Sequence, residues 1–273
     1  MSSLSTRGNP SPAISSFAVR GLPSVIGIVG GVGPYAGLDL QRKILEQTIA
    51  AADQDHLPVI AVSWPGPIPD RTAYLLGHVA ANPALAIVEQ LRLLANAGAS
   101  VAAIPCNTAH APTIFDIIQT GVAGFERPPR LLNMVDETTA MLASHYPAIR
   151  TIGVLSTTGT LQARLYPAAL EPLGYRVVVP DEARQATVIH PAIYDPAYGL
   201  KATGAATGRA RDALQQGLDT LCEMGAEAII LACTELPLAL PEREYGGRPL
   251  IDPALALARA LVRAADPERL KPW

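Results

Sequence analysis

Asn96-Ala97-Gly98-Ala99-Ser100-Val101-Ala102-Ala103-Ile104-Pro105-Cys106-Asn107-Thr108 matches Glu223-Met224-Gly225-Ala226-Glu227-Ala228-Ile229-Ile230-Leu231-Ala232-Cys233-Thr234-Glu235. Each stretch leaves a helix, turns at a glycine, runs through a short apolar strand and ends at a cysteine. Upstream, Ser24-Val25-Ile26-Gly27-Ile28-Val29 matches Arg150-Thr151-Ile152-Gly153-Val154-Leu155. The glycines Gly27 and Gly153 lie 126 residues apart and the cysteines 127 apart, so the spacing inside each copy is kept. A further echo links Pro129-Arg130-Leu131-Leu132-Asn133-Met134 with Arg248-Pro249-Leu250-Ile251-Asp252-Pro253, each followed by an Ala/Leu-rich helix. The chain is therefore read as a duplication. Two similar domains related by a pseudo-twofold would face two thiols across the cleft between them. A pair of opposed bases is what proton removal from one face of a carbon and return to the other requires.

Strands alternate with helices throughout, which argues for parallel sheets covered by helices. In the first copy the strands are Val25–Val29, Pro58–Val62 and Ala99–Ile104, with helices expected over 36–52 and 82–97. In the second they are Ile152–Leu155, Tyr175–Val179 and Ala228–Leu231, with helices expected over 159–173 and 204–223. The fold class expected is α/β: two pseudo-twofold-related domains, each a mainly parallel sheet flanked by helices, with the active site in the interdomain cleft. Residues 1–22 are expected to form a disordered tail. Residues 23–130 form the first domain, joined by the C-terminal helix 250–265, and residues 131–249 the second.

A chain of 273 residues, 49% hydrophobic, can fill two cores. A net charge of −3 gives no electrostatic case for nucleic acid or an anionic membrane. No apolar stretch approaches the ~20 residues of a membrane span. The three cysteines are too scattered for a secreted disulfide framework, so free thiols in a reducing cytoplasm are the simpler reading. The Ser/Pro/Gly-rich start contains no acid, and an organelle transit peptide shares that composition.

In parallel sheets ligands collect at the carboxyl ends of strands, where Cys106 and Cys233 both fall. The thiolate is the reactive form, and a helix start favours it. Asn107, Thr108 and Thr234 are natural N-caps, so both cysteines are expected at helix starts. A lone buried cysteine is usually core. Two at matched positions are not, whereas Cys222, matched to Ala95 within a helix, reads as core.

Pro105-Cys106-Asn107-Thr108-Ala109-His110 resembles the first catalytic motif of the aspartate/glutamate racemase superfamily, and Cys233-Thr234-Glu235 resembles its second. Gly30-Gly31-Val32-Gly33-Pro34 is similar to the family's N-terminal loop. Ile68-Pro69-Asp70-Arg71-Thr72, and Ile193-Tyr194-Asp195 through Leu200-Lys201, are similar to segments of its aspartate racemase branch. The resemblance spans about Val25 to Ala264. One departure is Ala232, where a glycine usually precedes the second cysteine.

The resemblance implies racemisation of an amino acid, aspartate first, without cofactor or metal, by Cys106 and Cys233 as thiolate base and thiol acid. It also implies a homodimer. Arg71 would bind a substrate carboxylate through its planar fork, and Lys201 the substrate's side-chain carboxylate. Asn107, Thr108, Thr234 and Glu235 would hold the α-carboxylate and stabilise enediolate charge. Gly31 and Thr157 would contribute from the two versions of the glycine loop. His110, one helical turn after Cys106, reads as a supporting histidine.

Rival readings are weaker. Gly31-Val32-Gly33-Pro34-Tyr35-Ala36 formally fits a dinucleotide loop, but Asp53 and Asp55 precede the second strand, where an acid should end it. Cys106 and His110 lack further zinc ligands nearby. Lys201 alone does not indicate pyridoxal phosphate. Glutamate or another amino acid as substrate, and a maleate isomerase-like reaction on the same fold, stay open within the enzyme class. A lobed protein that binds a small anion without chemistry is the alternative outside it.

Overall fold

The computed structural model describes residues 24–204 and 206–273. The expected tail, residues 1–22, lies outside the described residues. The first sheet holds β1 (Ile26–Val29), β2 (Val59–Val62), β3 (Val101–Ala103) and β4 (Arg130–Leu132) in the order β2-β1-β3-β4, all parallel. The second holds β5 (Thr151–Ser156), β6 (Arg176–Val178), β7 (Ala228–Ala232), β8 (Glu244–Tyr245) and β9 (Arg248–Ile251) in the order β6-β5-β7-β9-β8. Only β8, on the edge, runs antiparallel. Without β8 the two orders are the same, which is the expected α/β duplication.

The repeated glycines have one structural cause. A Cβ on Gly27 would lie 2.9 Å from the Ala99 Cβ, and one on Gly153 would lie 3.0 Å from the Ala226 Cβ. Both central strands are thus overlaid by the turn leading into the next strand. Those turns need left-handed backbone at Gly98 (φ 98°) and Gly225 (φ 84°), which glycine adopts without a steric penalty.

Around the first sheet lie α1 (Pro34–Gln47), α2 (Arg71–Leu75), α3 (Ala84–Asn96) and α4 (Pro112–Ala123); α5 (Met134–His145) follows β4. The second half carries α6 (Thr158–Gln162), α7 (Leu165–Leu170), α8 (Glu182–Arg184), a π turn at Gln185–Ile189, α9 (His190–Tyr194), α10 (Leu200–Thr203), α11 (Gly208–Glu223) and α12 (Leu236–Ala239). Finally, α13 (Pro253–Ala265) follows β9. Among the described residues no helix is long and apolar enough to cross a membrane.

The helices after the closing strands change sides. Val135, Met141 and Leu142 of α5 pack with Ile152, Val154 and Ile230 of the second sheet. Leu257, Ala258 and Leu261 of α13 pack with Ile26, Ile28 and Val101 of the first. This exchange knits the halves together. The echoed residues Asn133 and Asp252 start both helices: Asn133 accepts from the Val135 amide at 2.9 Å and Asp252 from the Ala254 amide at 2.8 Å. Each such cap stabilises by about 1 kcal/mol.

Several expected boundaries shift. Divisions at 130 and 249 fall inside β4 and β9, because Leu131 and Leu132 pair with β3 and Leu250 and Ile251 pair with β7. The stretch read as the start of the C-terminal helix at 250 is therefore still strand. The helix expected over 159–173 is broken at Arg164, whose φ of 49° separates α6 from α7. The helix expected from Gly204 begins at Gly208, because the Thr207 hydroxyl caps it and left-handed Gly204 ends α10.

Candidate active site

Cys106 follows β3 by three residues and Cys233 follows β7 directly, so parallel strands bring both to carboxyl ends. Both are nearly buried, with relative exposures of 7% and 4%. The loops around them meet across the two halves. The Thr108 hydroxyl lies 3.2 Å from that of Thr157 and 2.9 Å from that of Thr160. Tyr166 donates to the Asn107 Oδ1 at 2.5 Å, and Tyr194 to the Thr72 Oγ1 at 2.9 Å. At Gly159 the backbones are so close that a Cβ would lie 2.9 Å from the Thr72 Cα. Cys222 sits apart on α11, packed against the second core, and burial pushes its thiol up.

The charged groups form one cluster. Arg71, buried at the start of α2, has its cationic form opposed by burial but upheld more strongly by Cys106, Asp70 and Tyr194, which raise its pKa. Its Nε has no hydrogen-bond partner among the described residues. Lys201 Nζ donates to the Glu235 Oε1 at 2.6 Å and stands 5.6 Å from the centre of the Tyr194 ring. Burial also works against the Lys201 charge, yet Glu235 and Cys233 raise its pKa. For Glu235, burial opposes ionisation, but Lys201 holds the carboxyl down at about 2. Glu235 Oε2 in turn accepts from the Cys233 thiol at 3.1 Å. Burial first, and then the adjacent Glu235 charge, push Cys233 well above the ordinary thiol range. At neutral pH, Cys233 is therefore held as the thiol.

The residues next to the thiols do not act as helix caps. Cys106 opens only a short 3-10 turn, Asn107–His110, without side-chain capping, and the four-residue α12 begins after Glu235. The Asn107 and Thr108 side chains instead reach the other half, through Tyr166 and through Thr157 and Thr160. The Thr234 hydroxyl donates to Glu235 Oε2 at 3.2 Å. Thr157 does cap, accepting from the Thr160 amide at 3.2 Å.

Gly31 lies against the loop after β2, where a Cβ would be 2.8 Å from the Trp64 nitrogen. The glycine beside the charged cluster is Gly33, whose added Cβ would lie 3.1 Å from Glu235 Oε1. His110 is fully buried, and burial lowers its pKa to about 4. The Met134 amide donates to its Nε2 at 3.2 Å, which leaves the proton on Nδ1 to donate to the Cys106 carbonyl at 2.9 Å. A neutral histidine with both nitrogens engaged fixes the Cys106 backbone and is not a free base.

Tyr166 falls within the stretch expected as one helix, 159–173, where no local pattern marks it as a site residue. Tyr194 lies in the segment similar to the aspartate racemase branch, and no contact is legible from that segment alone. No sequence signal pairs Thr72 with Tyr194 or Tyr166 with Asn107.

Comparisons with known proteins agree on one family. Residues 29–261 match the family profile described as Asp/Glu/Hydantoin racemase. The broad specificity amino-acid racemase RacX of Bacillus subtilis is 29% identical over 244 residues, covering 87% of this chain and 96% of that protein. A glutamate racemase of Pseudomonas entomophila is 28% identical, covering 86% of this chain and 77% of its own. The solved Picrophilus torridus aspartate racemase superimposes with a TM-score of 0.74 at 29% identity, covering 91% of this chain and 96% of that one.

Proposed function

Since the chain belongs to the Asp/Glu/hydantoin racemase family, we propose that it racemises an amino acid by proton exchange between Cys106 and Cys233, with aspartate as the first substrate to test. The observation that carries this reading is the pair of buried thiols at equivalent strand ends, one beside Arg71 and the other beside Glu235 and Lys201. The substrate's α-carboxylate would face Arg71 and the Asn107 amide. One cysteine as thiolate takes the α-proton and becomes a thiol. The electron pair left on Cα spreads into the carboxylate, where the guanidinium and amide stabilise it. The other thiol delivers its proton to the opposite face and becomes the thiolate. The product is the mirror image, and the two cysteines have exchanged protonation states.

Lys201 supports an acidic side chain, since two of its ammonium protons remain for a second carboxylate beside Glu235. The same ion pair favours a second reading. Glu235 already compensates Lys201, so the site also suits neutral side chains, in line with the broad-specificity relative. A homodimer in the cytoplasm belongs to the same proposal; family resemblance supports the first part and the free thiols the second. The test is a panel of single enantiomers, L-aspartate, L-glutamate and L-alanine, followed by chiral chromatography. Aspartate turning over fastest supports the acidic reading, equal turnover of alanine the broad one. No D-enantiomer from any of them refutes both.

A further inference from the structure

Tyr166 is fully buried on α7 in the second half, yet its hydroxyl ends on Asn107 of the first, next to Cys106. We propose that Tyr166 is a positioning residue that fixes the Asn107 amide so that its NH2 group serves the substrate's α-carboxylate. The proposal rests on the racemase reading above.

The geometry assigns the amide. The Tyr166 hydroxyl donates to the Asn107 Oδ1, which lies 2.5 Å away. The Nδ2 is then turned away, buried and without a partner among the described residues. A buried NH2 group left unpaired is unfavourable unless something completes it. The Nε of Arg71 is in the same condition, and Arg71 lies close enough to Cys106 to be stabilised by it. One carboxylate has two oxygens and can take both N–H groups. If the amide rotated by half a turn, Oδ1 would meet that carboxylate instead, oxygen against oxygen. Burial pushes the Tyr166 hydroxyl pKa far up, so the group stays a donor across the working range. Because Tyr166 and Asn107 belong to different halves, the amide is set only when the halves are together.

Tyr166→Phe keeps the packing and removes the donor. The expected result is a KM raised about tenfold and a kcat that falls as well, for every amino acid the enzyme accepts, because the amide both holds the common α-carboxylate and stabilises the charge that develops on it. Calorimetric titration with L-aspartate should show the same loss in affinity. Asn107→Asp keeps an acceptor for Tyr166 but supplies no donor, and should lose affinity as Asn107→Ala does. Added to Asn107→Ala, Tyr166→Phe should change nothing further. Wild-type KM and affinity in Tyr166→Phe, or effects that multiply in the double variant, overturn the proposal. A wild-type protein that binds L-aspartate without racemising it refutes the racemase reading and leaves the affinity test of Tyr166 standing. One that neither binds nor racemises any amino acid refutes both.

Discussion

Lys201→Met keeps the length of the side chain and removes its charge, which makes it a direct probe of the charged cluster. Lys201 is the ion-pair partner of Glu235, whose side chain is 5% exposed. With Lys201 in place the Glu235 carboxyl is held at about 2, against an ordinary 4.5. That interval corresponds to about 3 kcal/mol of folding stability at neutral pH. The sign follows from the direction: the folded value lies below the unfolded one, so this stability is present above pH 4.5 and is lost as pH falls towards 2. The figure agrees with the general cost of removing one partner from a buried pair, roughly 3–5 kcal/mol. Urea unfolding of both proteins at about pH 7 and about pH 3 measures it. The variant should be less stable at the higher pH by up to about 3 kcal/mol, since Cys233 and Arg71 also hold the Glu235 charge, and the gap should narrow at the lower. Equal stability at neutral pH, or a deficit independent of pH, would show that Lys201 does not hold the Glu235 charge.

Cys106→Ala and Cys233→Ala should each abolish racemisation in the chiral assay, while Cys222→Ala stays within about twofold of wild type, since Cys222 packs in the second core. On the proposed thiolate mechanism, with Cys233 pushed up, kcat/KM should rise from about pH 6 towards pH 9; a flat profile counts against thiolate chemistry. His110, lowered from 6.5 to about 4 by burial, binds its proton more tightly in the unfolded chain. Wild-type stability should therefore fall as pH drops from 6.5 to 4, and denaturation of His110→Gln should lack that component. Gly159→Ala would press a Cβ against the Thr72 backbone, so it should destabilise by about 1–3 kcal/mol in thermal unfolding and lower activity by parting the halves.

The duplication was legible in the sequence because it records packing constraints as well as chemistry. Gly27 and Gly153 each lie under an overlying turn, Gly98 and Gly225 make that turn, and Asn133 and Asp252 start the exchanged helices. Each constraint restricts residue type, so the copies kept it. The position of the cysteines after β3 and β7 followed from the same periodicity. Contacts between the halves were not legible. That Thr108 meets Thr157, or that Asn107 meets Tyr166, depends on how two separate sheets approach, which no local pattern encodes. The same gap led Asn107 and Thr108 to be read as caps: both suit that role, but the turn after Cys106 is too short to use them. The break at Arg164, held at φ 49°, had a local signal in Pro167, which fits the first turn of α7 but not the interior of one helix over 159–173.

Proton NMR of the purified protein with L-aspartate in D2O, followed by chiral analysis of the recovered amino acid, tests the two-thiol account most directly. The account predicts loss of the α-proton signal together with appearance of D-aspartate, both absent with Cys106→Ala and with Cys233→Ala. D-aspartate formed at the wild-type rate by either variant would contradict it.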